Sequence, residues 1–335
     1  AEDVWAKDYT ISLGNLAFSY KQNNQLSEAI ALDEKALAIC DKYYQQAPDV
    51  WAEDYTKSLA NLAFLYSENN QLSEAIALEG KALVIHEAYY QQAPDVWAGK
   101  YTFSLNNLAF LYSENNQVRE AIALDEKALA IREAYYQQMP DVWAKRYTTS
   151  LNNLAHNYSS EGRETDALVL LKKVVAVNEG LYQQSPVIWQ YDYINSLQRT
   201  GTMYFKLCNY RSAYEQLHQY FDLFSLDTIN DIKQSNSFIY SFVKYVQASN
   251  ILSIPESINF EQLANAFIVN MTGKFANDYK KHIDLLLNRY ADDYKKHIDL
   301  LQNGDENTLD YIEFAKSNNS LEKERYQIFK QYFCK

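Results

Sequence analysis

Pro94–Met139, PDVWAGKYTFSLNNLAFLYSENNQVREAIALDEKALAIREAYYQQM, decides the fold because the chain repeats it. Residues 48–93, PDVWAEDYTKSLANLAFLYSENNQLSEAIALEGKALVIHEAYYQQA, match it at about three positions in four. Residues 140–185, PDVWAKRYTTSLNNLAHNYSSEGRETDALVLLKKVVAVNEGLYQQS, still match it clearly. Trp5, Trp51, Trp97, Trp143 and Trp189, all the tryptophans of the chain, fall on this one 46-residue period. A unit of this size cannot bury its own apolar face, so neighbours stack on one another and the chain forms a solenoid.

Each unit reads as two helices. In the second unit Trp51, Tyr55, Leu59, Leu62, Ala63 and Tyr66 recur at spacings of three and four, which is one apolar stripe of a helix. Pro48 and Asp49 suit its first turn: proline needs no amide partner there, and a carboxylate complements the helix dipole. The run Glu68-Asn69-Asn70-Gln71 breaks the pattern, and Leu72, Ala75, Ile76, Ala82, Leu83 and Tyr90 mark a second helix. Asn24, Asn70, Asn116 and Gly162 share one phase at the break. Asn and Gly are the residues that most readily turn left-handed to end a helix, so one backbone geometry is expected at all four.

Composition narrows the function. Hydrophobic residues make up 47% of the chain, enough for a continuous core, and only 8 glycines and 5 prolines leave little material for long loops. A net charge of −12 speaks against nucleic acid and against an anionic membrane surface. No apolar run reaches a membrane-spanning length. Cys40, Cys208 and Cys334 are odd in number and far apart, which fits a reducing, cytoplasmic setting without a disulfide framework. Ala1 is in phase with Ala47 and Ala93, so the chain reads as a piece of something longer.

The pattern resembles the tetratricopeptide repeat family. The matching small positions are Ala17, Ala63, Ala109, Ala155 and Gly201; the tyrosines are Tyr20, Tyr66, Tyr112, Tyr158 and Tyr204; the first alanines of the second helices are Ala29, Ala75, Ala121, Ala167 and Ala213. LNNLAFLY followed by EAIALDEKALAIRE is especially similar to the repeats of kinesin light chains and of bacterial multidomain proteins. The period departs from the usual one of roughly 34, lengthening each helix by about a turn and a half. Asp33, Glu79 and Asp125 stand where the family has an aromatic residue. HEAT repeats share the longer period and are the alternative architecture.

The expected organisation is therefore an all-α solenoid of five helix-turn-helix units, starting near residues 1, 47, 93, 139 and 185 and filling residues 1–232. The fifth unit is eroded, as terminal repeats are. Residues 233–335 read as a helical cap or small domain, within which DYKKHIDLL occurs at 278–286 and again at 293–301.

Chemistry is sparse. His282 and His297, each one turn after Asp278 or Asp293, have the look of metal ligands, but a duplicated solvated helix face accounts for them better. His86, His156 and His218 are isolated, acidic pairs such as Asp33-Glu34 read as solvent-facing, and the tryptophans read as buried packing groups between helices rather than stacking platforms. No catalytic constellation, cofactor or metal site is expected.

The resemblance directs attention to the concave groove lined by first helices. Asn15, Asn61, Asn107 and Asn153, with Arg199 in the fifth unit, match the second asparagine of LNNLA and would hold a ligand's backbone, since an amide both donates and accepts. Phe18, Phe64, Phe110 and His156 lie beside them. Asp8, Asp54, Lys100, Arg146 and Asp192 share a phase, so the middle of the array is locally basic and suits an acidic segment. The reading is a non-catalytic protein- or peptide-binding scaffold. Its rivals are a peptide-responsive regulator, the sensor or regulatory part of a larger bacterial multidomain enzyme, and a passive spacer.

Overall fold

The computed structural model describes residues 2–223 together with residues 241, 244, 245 and 248. Apart from those four positions, the expectations placed on residues 233–335, including His282, His297 and the 232/233 boundary, lie outside the described residues. Ten helices follow one another: α1 (Glu2–Gln22), α2 (Leu26–Gln46), α3 (Pro48–Glu68), α4 (Leu72–Gln92), α5 (Pro94–Glu114), α6 (Val118–Gln138), α7 (Pro140–Ser160), α8 (Glu164–Gln184), α9 (Pro186–Lys206) and α10 (Tyr210–Leu223). No strand occurs among the described residues. The chain divides into two compact units, Ala1–Val177 and Asn178–Lys335.

The connections obey the local chemistry of the sequence. Asn24, Asn70 and Asn116 have φ of 57°, 57° and 58°, and Gly162 has 83°, as their shared phase implies. The amide after each reaches back to close the helix end, for example from Gln25 to the Tyr20 carbonyl at 2.9 Å and from Gln71 to that of Tyr66 at 2.8 Å. This satisfies carbonyls that the last turn leaves open. Cys208 occupies the same phase with φ 58°, although cysteine has no special liking for that region. The bond from Asn209 to the Tyr204 carbonyl, at 2.9 Å, holds it there.

At the other joint a single extended residue separates α2 from α3 (Ala47), α4 from α5 (Ala93) and α6 from α7 (Met139), with proline next as the first helical residue.

Within Ala1–Val177 the helices from α1 to α7 pack each on the next. Alanines set the spacing: Ala17 and Ala29 meet Leu65, and Ala63 and Ala75 meet Leu111. Aromatic pairs clasp one unit to the next. Tyr43 stacks on Trp51, Tyr89 on Trp97 and Tyr135 on Trp143 at 4.7–4.8 Å, and Tyr44, Tyr90 and Tyr136 do the same on Tyr55, Tyr101 and Tyr147. Each such pair contributes about 0.5–1.5 kcal/mol beyond the area it buries.

The expectation of five equivalent buried tryptophans needs correction. Trp51 and Trp143 are buried, Trp97 and Trp189 are half-buried, and Trp5 is exposed. Tyr43, Tyr89 and Tyr135 of the preceding second helices cover Trp51, Trp97 and Trp143, and Trp5 has no such neighbour among the described residues.

In the second unit α9 packs on α10 around Phe205, Tyr210, Ala213 and Ala248. Gly201 is required there. A Cβ at this position would come within 2.7 Å of the Leu217 side chain, closer than packed atoms tolerate.

Candidate functional site

The first helices α1, α3, α5 and α7 turn one face inward through Leu13, Leu59, Leu105 and Leu151, all buried. α1 is in direct contact with α3, and α5 with α7, so first helices are neighbours along the array. Asn15 and Phe18 are three residues apart, as are Asn61 and Phe64, Asn107 and Phe110, and Asn153 and His156. Each pair therefore shares a face one turn long. Phe18, Phe64, Phe110 and His156 are all exposed. Lys21 Nζ sits 4.0 Å above the Phe64 ring.

The asparagines are not equivalent. Asn15 and Asn61 are exposed, whereas Asn107 and Asn153 are half-buried. The Asn107 amide donates across to Glu79 Oε1 at 3.5 Å, so at that position it bridges two helices. Phe103, one turn before Asn107 and exposed on α5, belongs to the same face. Its i−4 spacing from Asn107 was the signal that could have found it.

Lys100 and Arg146 lie over the tryptophans of their own helices, with Lys100 Nζ 4.5 Å from the Trp97 ring and the Arg146 guanidinium 5.3 Å from that of Trp143. Lys100 is not a free charge: its ammonium is paired with Glu53 Oε2 at 2.7 Å. The Arg146 side chain donates to its own helix, to the Val142 carbonyl at 3.4 Å. Arg199 is exposed on α9, in the second unit.

Sequence reading missed a buried polar seam under this face. Asp33, expected at the surface, is buried, as are Glu79 and Asp125 in the same phase on α4 and α6. They sit in the stack at the phase of the family's aromatic, and Glu79 and Asp125 take hydrogen bonds from the first helices. Asp125 accepts from Asn106 Nδ2 at 2.7 Å and from Asn157 Nδ2 at 2.8 Å. Burial pushes the carboxyls of Asp33 and Asp125 up to about 6 and that of Glu79 up to about 7.

A second row, two helical turns further on, faces serines of the next first helix. Cys40 Sγ lies 3.2 Å from Ser58 Oγ, His86 Nδ1 2.8 Å from Ser104 Oγ, and Arg132 Nη1 donates to Ser150 Oγ at 3.0 Å. Burial pulls His86 down to about 4 and Arg132 to about 10. These groups are sealed from solvent and hold the stack.

No group of three or more His, Cys, Asp or Glu side chains able to hold a metal ion occurs among the described residues. No helix among them is long and apolar enough to cross a membrane.

The tetratricopeptide repeat model matches residues 11–44, 56–93, 104–138 and 148–185. No curated protein matches the chain in sequence. Among solved structures, a variant of a Podospora anserina protein assigned as a kinesin light chain with nearly identical TPR-like repeats is 27% identical. The match covers 63% of this chain and 92% of that one, with a TM-score of 0.51. BtubC (BKLC) from P. vanneervenii is 16% identical over 67% of this chain and 83% of its own, with a TM-score of 0.53. A signal transduction ATPase with numerous domains and a tetratricopeptide repeat sensor, from Pyrococcus horikoshii, is 17% identical. It matches 96% of this chain over 44% of its own length, with a TM-score of 0.57. At 16% and 17% identity the last two share the fold alone. Four consecutive matches, the paired helices and the left-handed asparagine turns converge: through its repeats, the chain belongs to the tetratricopeptide repeat family.

Proposed function

We propose that the chain is a non-catalytic scaffold whose first-helix face, running along Ala1–Val177, holds an extended or helical segment of a partner protein. The observation that carries this reading is the row Phe103, Asn107 and Phe110 on α5, with Phe64 and Phe18 in phase on α3 and α1. Large aromatic rings stay exposed there, although Leu13, Leu59 and Leu105 of the same helices are buried. Exposed aromatic rings repeated on a rigid support suit a binding surface. The asparagines beside it offer both a donor and an acceptor to a partner's backbone. Asn15, Asn61 and Asn153 suit that role best, since Asn107 already serves Glu79. The acidic preference rests on Arg146, because Lys100 is already neutralised by Glu53.

Selecting peptides from a displayed random library against the full chain tests this. Selected sequences should pair apolar side chains with at least one carboxylate. The Phe64→Ala/Phe110→Ala variant should bind them about tenfold more weakly or worse, with unchanged helicity. Arg146→Glu should weaken them further and flatten their salt dependence. Peptides that bind both variants as well as the parent would remove this face from consideration.

A further inference from the structure

Asp33, Glu79 and Asp125 hold one phase of the second helices, but the first helices answer them differently. Asp125 takes two amides, Asn106 from its own unit and Asn157 from the next. At the phase of Asn106 the first unit has Gly14, and at that of Asn157 its neighbour has Leu65. Asp33 therefore lacks both donors. It is 6% exposed, and among the described residues it accepts no hydrogen bond and faces no cation; burial alone raises its carboxyl to about 6. At neutral pH it is an ionised group with no counter-charge, which is costly to bury.

The space beside Asp33 opens outward at Gly14. A Cβ there would stand 3.9 Å from Asp33 Oδ1, with no other atom within 4 Å beyond the adjoining residues and the helix's own backbone. Ile11, three residues before Gly14, and Phe18, four after it, share this face of α1 and are exposed. Their two phases are exposed on α3, α5 and α7 as well, so the opening lies on the first-helix face common to the array. Two apolar walls with a carboxylate at the base fit a side chain that has an apolar stem and a cationic end. A carboxylate would be repelled there, and a plain aliphatic chain would leave the charge unmet.

We propose that Gly14 opens a lysine-binding notch on α1, in which the ammonium of a partner segment donates to Asp33 and its stem lies between Ile11 and Phe18. The notch serves a partner only if the first-helix face is the binding surface described above. With Asp33 at the α1 end and Arg146 on α7, a segment lying along that face meets opposite charges at its two ends. Asn106 shows how the same position is closed from within, by an amide 2.7 Å from the carboxylate.

The Asp33 carboxyl resonance of the isotope-labelled full chain reads the notch directly, with n-butylammonium chloride as the probe and sodium chloride at equal ionic strength as the control. Asp33→Asn identifies the resonance. A saturable shift with butylammonium alone is expected, and Gly14→Asn, which supplies the missing amide from α1 itself, should abolish it. A shift no larger than that of exposed carboxylates, one that sodium reproduces, or one that survives Gly14→Asn would overturn the proposal. The second arm uses peptides selected on the full chain. Replacing their lysine by norleucine should weaken binding to the parent about tenfold and leave binding to Gly14→Asn unchanged. Peptides that need Phe64 and Phe110 but ignore this replacement would remove the notch and keep the face. Peptides that ignore Phe64 and Phe110 would remove the face, and a partner's lysine with it.

Discussion

The junctions α2/α3, α4/α5 and α6/α7 share one apolar frame and differ in what they bury inside it. Each has the tyrosine–tryptophan stack and the tyrosine pair, and the first two also have the alanine contacts with Leu65 and Leu111. Against a serine of the next unit, however, the first places Cys40, the second His86 and the third Arg132. The serine serves all three because a hydroxyl both donates and accepts. Frame and filling are thus separable. The frame sets the stacking, while the filling sets how much each junction loses when disturbed and how it responds to pH.

The third junction should be the most fragile. Asp125→Ala leaves two buried amides without an acceptor and the buried Arg132 without its nearest opposite charge. A loss of about 3–5 kcal/mol in urea unfolding is expected. A loss below about 1 kcal/mol would show that the network is expendable.

The second junction should show two opposed pH responses. His86 falls from 6.5 to about 4, so the unfolded chain takes up its proton first and acidification from 6.5 towards 4 destabilises the fold. Glu79 rises from 4.5 to about 7, so the folded chain holds its proton longer, and stability is lost as pH climbs from 4.5 towards 7. Between 4.5 and 6.5 the two slopes cancel. Lys100 and Glu53 also face His86, the first lowering its pKa and the second raising it. His86→Asn should therefore gain stability relative to the parent as pH falls through this range, and Glu79→Gln should lose it. Each change amounts to roughly 2–3 kcal/mol. Parallel slopes in the two variants would refute the opposition.

The first junction should matter least. Cys40→Ala removes a weak contact and little volume, for about 1 kcal/mol. Burial raises the Cys40 thiol pKa, so iodoacetamide should label the exposed Cys208 well before it. Labelling of Cys40 at the rate of Cys208 would mean that this junction opens readily.

The frame was legible in the sequence because it repeats. Trp51, Ala63, Tyr66 and Asn70 announce their roles by recurring, and the turn geometry followed from Asn and Gly sharing one phase. The filling was not legible, because its residues change from unit to unit. Asp33 looked like an ordinary surface charge beside Glu34, and His86 looked isolated. Only the three-dimensional stack shows that Ser58, Ser104 and Ser150 face Cys40, His86 and Arg132. Cys208 was hidden for a related reason, since its left-handed turn is imposed by the helix end rather than favoured by the residue. Of the residues expected to bind, Phe18, Phe64 and Phe110 are exposed. Pairing of Lys100 with Glu53 could not be read, because the two lie 47 positions apart on successive units.

The single-residue joints at Ala47, Ala93 and Met139 have a consequence for heredity. α3, α5 and α7 each begin on a proline with one extended residue before it, and each of Ser58, Ser104 and Ser150 suits every second-helix partner. An in-frame recombination that deletes or duplicates one repeat would join, for instance, α2 directly to α5. Cys40 would then meet Ser104, and Tyr43 would meet Trp97. The hybrid junction has all the parts of a native one. The gene can therefore change the length of its array in a single event and still encode a folded product.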